Sequence, residues 1–117
     1  MRTFLFQEHF YNNFYNLYIC FMLDLEKVKT LLSILKPELF LKYPIASMGL
    51  FGSVVRDDFT PDSDIDIIVS FNRPVGIEFI DLANELEIKL NRKVDLVSKN
   101  GIKEKYYRVI EPEIIYV

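Results

Sequence analysis

Two hydrophobic rhythms alternate along the chain, and their order predicts its elements. From Asp24 onward Leu25, Val28, Leu31, Leu32 and Leu35 recur at three- and four-residue steps, the spacing of one helix face. Asp24 is placed to cap this helix and Pro37 to stop it, with one more helical turn over 37–42 before Tyr43 and Pro44 break it. Positions 45–51 read as a first strand, 53–58 as a short helix and 59–63 as a proline-containing loop. The period then becomes two: Ile65, Ile67 and Val69 alternate with Asp64 and Asp66, so the apolar side chains face one way and both carboxylates the other. After a turn at Arg73-Pro74, a second amphipathic helix over 76–90 is carried by Ile77, Ile80, Ala83, Leu86 and Leu90. Val94 to Val97 is a short strand interrupted by Asp95, 101–111 a last helix stopped near Pro112, and 114–117 an apolar tail. These are the elements of an α/β domain.

The first 21 residues follow neither rhythm. Eight aromatic residues, Phe4, Phe6, Phe10, Tyr11, Phe14, Tyr15, Tyr18 and Phe21, crowd into a piece whose only charges are Arg2 and Glu8. Gln7, His9, Asn12, Asn13 and Asn16 interrupt it too often for a membrane span of about twenty apolar residues. Phe10, Phe14, Tyr18 and Phe21 are helically spaced, which suits an amphipathic helix or a partner contact. The compositional break at Met22 favours another reading, an extension upstream of a misassigned start. The expected division is therefore an aromatic arm over 1–21 and one domain over 22–117.

Composition narrows the chemistry. A chain of 117 residues, half of them hydrophobic, holds a single core but not a catalytic domain plus a substrate-binding domain, so any bulky acceptor comes from outside. A net charge of -3 makes no electrostatic case for wholesale nucleic-acid binding. His9 and Cys20, the only histidine and cysteine, both lie in the arm and are read as chemically idle. The domain thus has no zinc set, thiol nucleophile or Ser-His-Asp triad, which leaves carboxylate and magnesium chemistry. A lone cysteine forms no internal disulfide, and no signal-peptide pattern is present, so the expected location is the cytoplasm.

The chemistry concentrates between Leu50 and Val69, where Gly52-Ser53, a gap of ten residues and Asp64-Ile65-Asp66 follow one another. Two carboxylates a strand pitch apart repel unless a cation sits between them. A Gly-Ser turn presents backbone N–H groups that suit an anion. An anion site beside a divalent-cation site suggests a metal-bound nucleoside triphosphate.

This arrangement resembles the signature of the DNA polymerase β-like nucleotidyltransferase superfamily. The short chain and the Gly52-Ser53-x-x-Arg56-x-Asp58 form resemble its minimal nucleotidyltransferases, the MNT partners of HEPN proteins. Many of those carry Gly after the Arg, where this chain has Asp57. The resemblance covers about residues 22–117 and implies a small mixed sheet of three or four strands with helices packed mainly on one face. Carboxylates on one strand face can bridge two Mg2+ ions, which assigns Asp64 and Asp66 to metal. By resemblance to the superfamily's third acid, Asp95 completes one ion's shell and accepts the proton of the attacking hydroxyl. Gly52 and Ser53 would hold the β- and γ-phosphates of ATP. Arg56 reaches either a phosphate or a neighbouring acid, Asp57, Asp58 or Asp62. Arg92, Lys93, Lys99, Lys103, Lys105 and Arg108 read as solvated faces. The implied function is transfer of AMP from ATP onto a protein hydroxyl, a tyrosine of a HEPN toxin, with the chain acting as antitoxin. Two other readings stay open: a module that only masks its partner, and a nucleotidyltransferase for a small molecule such as an aminoglycoside.

Overall fold

The computed structural model describes residues 23–117. The aromatic arm, His9, Cys20 and the proposed start at Met22 lie outside the described residues. Helix α1 runs Leu25–Lys42, strand β1 Ile45–Phe51, β2 Ile65–Phe71, helix α2 Glu78–Leu90, strand β3 Val94–Ser98, helix α3 Glu104–Ile110 and strand β4 Ile115–Tyr116. Short 3-10 turns occupy Gly52–Val54 and Glu111–Glu113.

The strands form one mixed sheet in the order β3-β2-β1-β4. β1 lies antiparallel to both β2 and β4, and β2 lies parallel to β3. In β2 Ile65, Ile67 and Val69 are fully buried and Asp66 only partly covered, as the period of two predicts, but Ile68 on the other face is buried as well. In β1 the register slips between Ile45 and Ser47, and the extra residue brings Ile45 onto the buried side with Met48 and Leu50. Against this face pack Val28, Leu32 and Leu39 of α1 and Leu82, Leu86 and Leu90 of α2. α3 buries none of its residues. The apolar tail becomes the fourth strand.

Asp24 caps α1 as expected, its carboxylate accepting the Lys27 N–H at 2.9 Å. Pro37 does not stop the helix, which continues through it to Lys42. Leu39 beyond the proline is fully buried, and that burial offsets the missing backbone hydrogen bond. The second helix also differs from expectation. Its buried stripe is Leu82, Leu86 and Leu90, whereas Ile77 and Ile80 are exposed. Phe79, edge-on to Phe71 at 6.3 Å between ring centroids, helps set this rotation. The helix expected over 53–58 is only the 3-10 turn Gly52–Val54, followed by loop. The Gly52 carbonyl accepts both the Val55 and the Arg56 N–H, closing one tight turn, and the β-branched valines and paired aspartates that follow are weak helix formers.

Among the described residues no helix is long and apolar enough to cross a membrane.

Candidate active site

The site lies where the C-terminal end of β1 meets the N-terminal ends of β2 and β3. β1 delivers the Gly-Ser turn, with Phe51 paired to Asp66 across the antiparallel ladder. In the parallel ladder Asp66 stands opposite Asp95, the second residue of each strand. Asp64 lies one residue before β2. The topology therefore brings together the two segments that sequence order separates.

Gly52 has φ +75°, a conformation natural to glycine, and its α-carbon is so near Asp66 that a Cβ there would sit 2.0 Å from Asp66 Oδ2. The turn is thus shaped to let the backbone approach the carboxylate. Burial, then the Asp95 and Asp64 carboxylates, push the Asp66 carboxyl up to about 6; Arg56 opposes the rise and Glu113 adds to it. Asp66 thus feels three other acids, Asp95, Asp64 and Glu113.

Whether these residues suit Mg2+ is a question of donor set. They offer hard carboxylate oxygens in mutual repulsion, which a divalent cation would relieve. Among the described residues no three acidic, histidine or cysteine side chains converge into a ready-made ligand cage. Magnesium usually takes one or two protein carboxylates and fills its shell with phosphate oxygens and water.

Arg56 forms one of its expected ion pairs and adds one that was not expected. Its Nε lies 3.5 Å from Asp58, one of the expected acids, but its terminal nitrogen lies 3.2 Å from Glu113 Oε2. The Gly52 N–H, expected to face a phosphate, donates to Glu113 Oε1 at 2.9 Å. Glu113 is the residue that sequence reading missed. Its only signal was position: an acid just before an apolar tail, which matters once that tail pairs with β1. Arg92 also departs from expectation, being buried rather than solvated: it donates to the Thr60 carbonyl and stacks over the Phe59 ring at 4.6 Å from the centroid. It thereby braces the loop that leads into the acidic strand. A cavity of about 420 Å3 opens beside the turn, between Leu23–Glu26 and Val54–Asp57 with Phe59.

Comparison with known proteins places the chain in a family. Residues 28–117 match the family model for the nucleotidyltransferase domain. The chain is 38% identical over 97 residues to the protein adenylyltransferase MntA of Thermococcus cleftensis, covering 82% of this chain and 98% of that protein. A solved structure assigned to the minimal nucleotidyltransferases superposes with a TM-score of 0.69 at 26% identity, over 80% of this chain and 95% of the other. A toxin-antitoxin crystal structure with AMP-PNP superposes with a TM-score of 0.51 at 29% identity, over 69% of this chain and 61% of the other. With the Gly-Ser turn set against the aspartates of β2 and β3 and the family model matching most of its length, the chain belongs to the nucleotidyltransferase domain family.

Proposed function

We propose that this protein transfers AMP from ATP to a hydroxyl of a HEPN-type toxin, a tyrosine hydroxyl, and thereby acts as its antitoxin. The observation that carries this reading is the placement of Asp66 beside Asp95 with Gly52 packed against Asp66. Similarity to a protein adenylyltransferase and to a toxin-antitoxin structure with AMP-PNP supports the substrate and the partner.

In this reaction the acceptor oxygen bonds to the α-phosphorus, the α–β bridging bond breaks, and pyrophosphate leaves. Asp64, Asp66 and Asp95 would hold Mg2+, two ions in all, which when bound would neutralise phosphate charge and ease deprotonation of the acceptor. The residues do the rest. Asp95, exposed beside the more buried Asp66, is open to an incoming hydroxyl and accepts its proton. A phenol with an ordinary pKa near 10 keeps its proton at neutral pH, so a positioned base contributes to rate. The Gly-Ser turn, with Ser53 at its centre and Arg56 one turn on, anchors the phosphate tail. The partner brings its own hydroxyl to the ends of β1, β2 and β3, where Asp95 is exposed.

The test is transfer from α-labelled ATP. Purified partner, parent chain and Mg2+ should give labelled partner and stoichiometric pyrophosphate; label that stays in free nucleotide contradicts the reading.

A further inference from the structure

We propose that Glu113 is a positioning residue for nucleotidyl transfer, its carboxylate holding the Gly52 N–H and the Arg56 guanidinium and so fixing the Gly-Ser turn beside Asp66. The inference rests on the nucleotidyltransferase reading above.

The contact is built by the sheet. β4 pairs with β1 through Gly49 opposite Tyr116 and Leu50 opposite Ile115. Continuing that register by two residues brings Glu113 opposite Gly52, although 61 positions separate them in sequence. The delivery is firm on both sides. The Ile114 N–H bonds the Glu111 carbonyl at 3.2 Å, and the Val117 N–H bonds the Met48 carbonyl at 3.0 Å. Lys36 of α1 donates to the Val117 carbonyl at 3.1 Å. Gly49 gives the segment room, since a Cβ there would come within 2.7 Å of Ile114 Cγ2.

One carboxylate does two things at this place. Its Oε1 accepts the Gly52 N–H at 2.9 Å, and Arg56 Nη1 reaches the two oxygens at 3.3 and 3.2 Å. Arg56, half exposed, thus lies between Glu113 and Asp58. A fourth carboxylate near three aspartates is electrostatically unfavourable, and the Gly52 and Arg56 donors are what offset it. With the Gly52 N–H engaged, the phosphate-holding role of the turn falls to Ser53, at the height that Glu113 sets.

Glu113→Gln and Glu113→Ala, made in the full chain, separate positioning from simple support. Glutamine keeps an oxygen for the Gly52 N–H; alanine keeps none. In metal-free protein the Gly52 amide proton should resonate downfield in the parent, stay near that shift in E113Q and move upfield in E113A. With partner and Mg-ATP, E113A should lose kcat by about a hundredfold with KM for ATP within a few-fold of the parent, the cost of a small misplacement at the reacting centre. E113Q should recover most of that loss. Should E113A fail to fold, Glu113→Asp carries the test, its shorter reach lowering kcat while Tm holds. An unshifted Gly52 amide in E113A overturns the proposal, as does parent-like kcat. Tighter ATP binding with undiminished kcat also overturns it, making Glu113 a competitor for the phosphate donors instead. A parent chain that transfers no AMP contradicts the function itself, while the amide shift still reports the contact.

Discussion

A methyl group on Gly52 would lie 2.0 Å from Asp66 Oδ2, so the Gly-Ser turn and the acidic strand are fitted to each other. With φ at +75° the position also resists any L side chain. Gly52→Ala should lose about 1–2 kcal/mol from the backbone conformation alone, and more if Asp66 cannot turn aside. Urea unfolding measures the loss, and calorimetry with Mg-ATP should show weaker binding in the same variant. Parent-like stability and binding would mean that the turn is not under this constraint.

The paired acids should govern nucleotide binding. Asp64→Asn and Asp66→Asn each remove a ligand charge with little change in volume. Affinity for Mg-ATP should fall by at least about tenfold, the loss typical of disturbing even an outer-shell partner of a metal, while the fold persists. Circular dichroism checks the fold and calorimetry the affinity.

Asp66 also predicts a pH signature in metal-free protein. Its carboxyl is raised from an ordinary 3.8 to about 6, chiefly by burial and then by Asp95 and Asp64. Between those values the folded state holds a proton that the unfolded chain has released. The contribution of Asp66 to stability is thus full below about pH 4 and is lost as pH rises through about 6. Asn has no such charge to desolvate, so Asp66→Asn should match the parent in Tm near pH 4 and exceed it increasingly by pH 7. Comparing the two proteins cancels groups such as Glu85, lowered by its bonds to Lys42 and Tyr43 despite the opposing effect of burial, whose pH dependence runs the other way. A constant difference in Tm across this range would contradict the assignment.

Local pattern carried β1, β2 and β3, the placement of Asp66 in β2 and Asp95 in β3, and a Gly52-Ser53 turn after β1, because a period of two and a Gly-Ser turn depend only on neighbours in sequence; Asp64 falls one residue before β2, and β4 read only as an apolar tail. Long-range pairing did not show. Pro37 reads as a stop until Leu39 is seen to be buried beyond it, and the apolar stripe of α2 is ambiguous until Phe79 meets Phe71. Arg92 resembles any surface cation until it bonds the Thr60 carbonyl. Glu113 was invisible for the same reason. Its neighbour in space is Gly52, and only the pairing of β4 with β1 reveals that.

AMP transfer is distinguished from mere masking by what the partner carries afterward. A half-buried Asp66 with Asp95 and Asp64 beside it is difficult to explain in a protein that needs only a surface. Asp95→Asn fills the same space but is neither a comparable ligand nor a base. It should still form the complex, while transfer falls by about two to four orders of magnitude. The most direct measurement is the intact mass of the HEPN partner after incubation with this chain and Mg-ATP. One or more added adenylyl groups, lost with Asp95→Asn, and inhibition that persists once the chain is removed are the predicted result; a partner that is fully inhibited yet unmodified would contradict it.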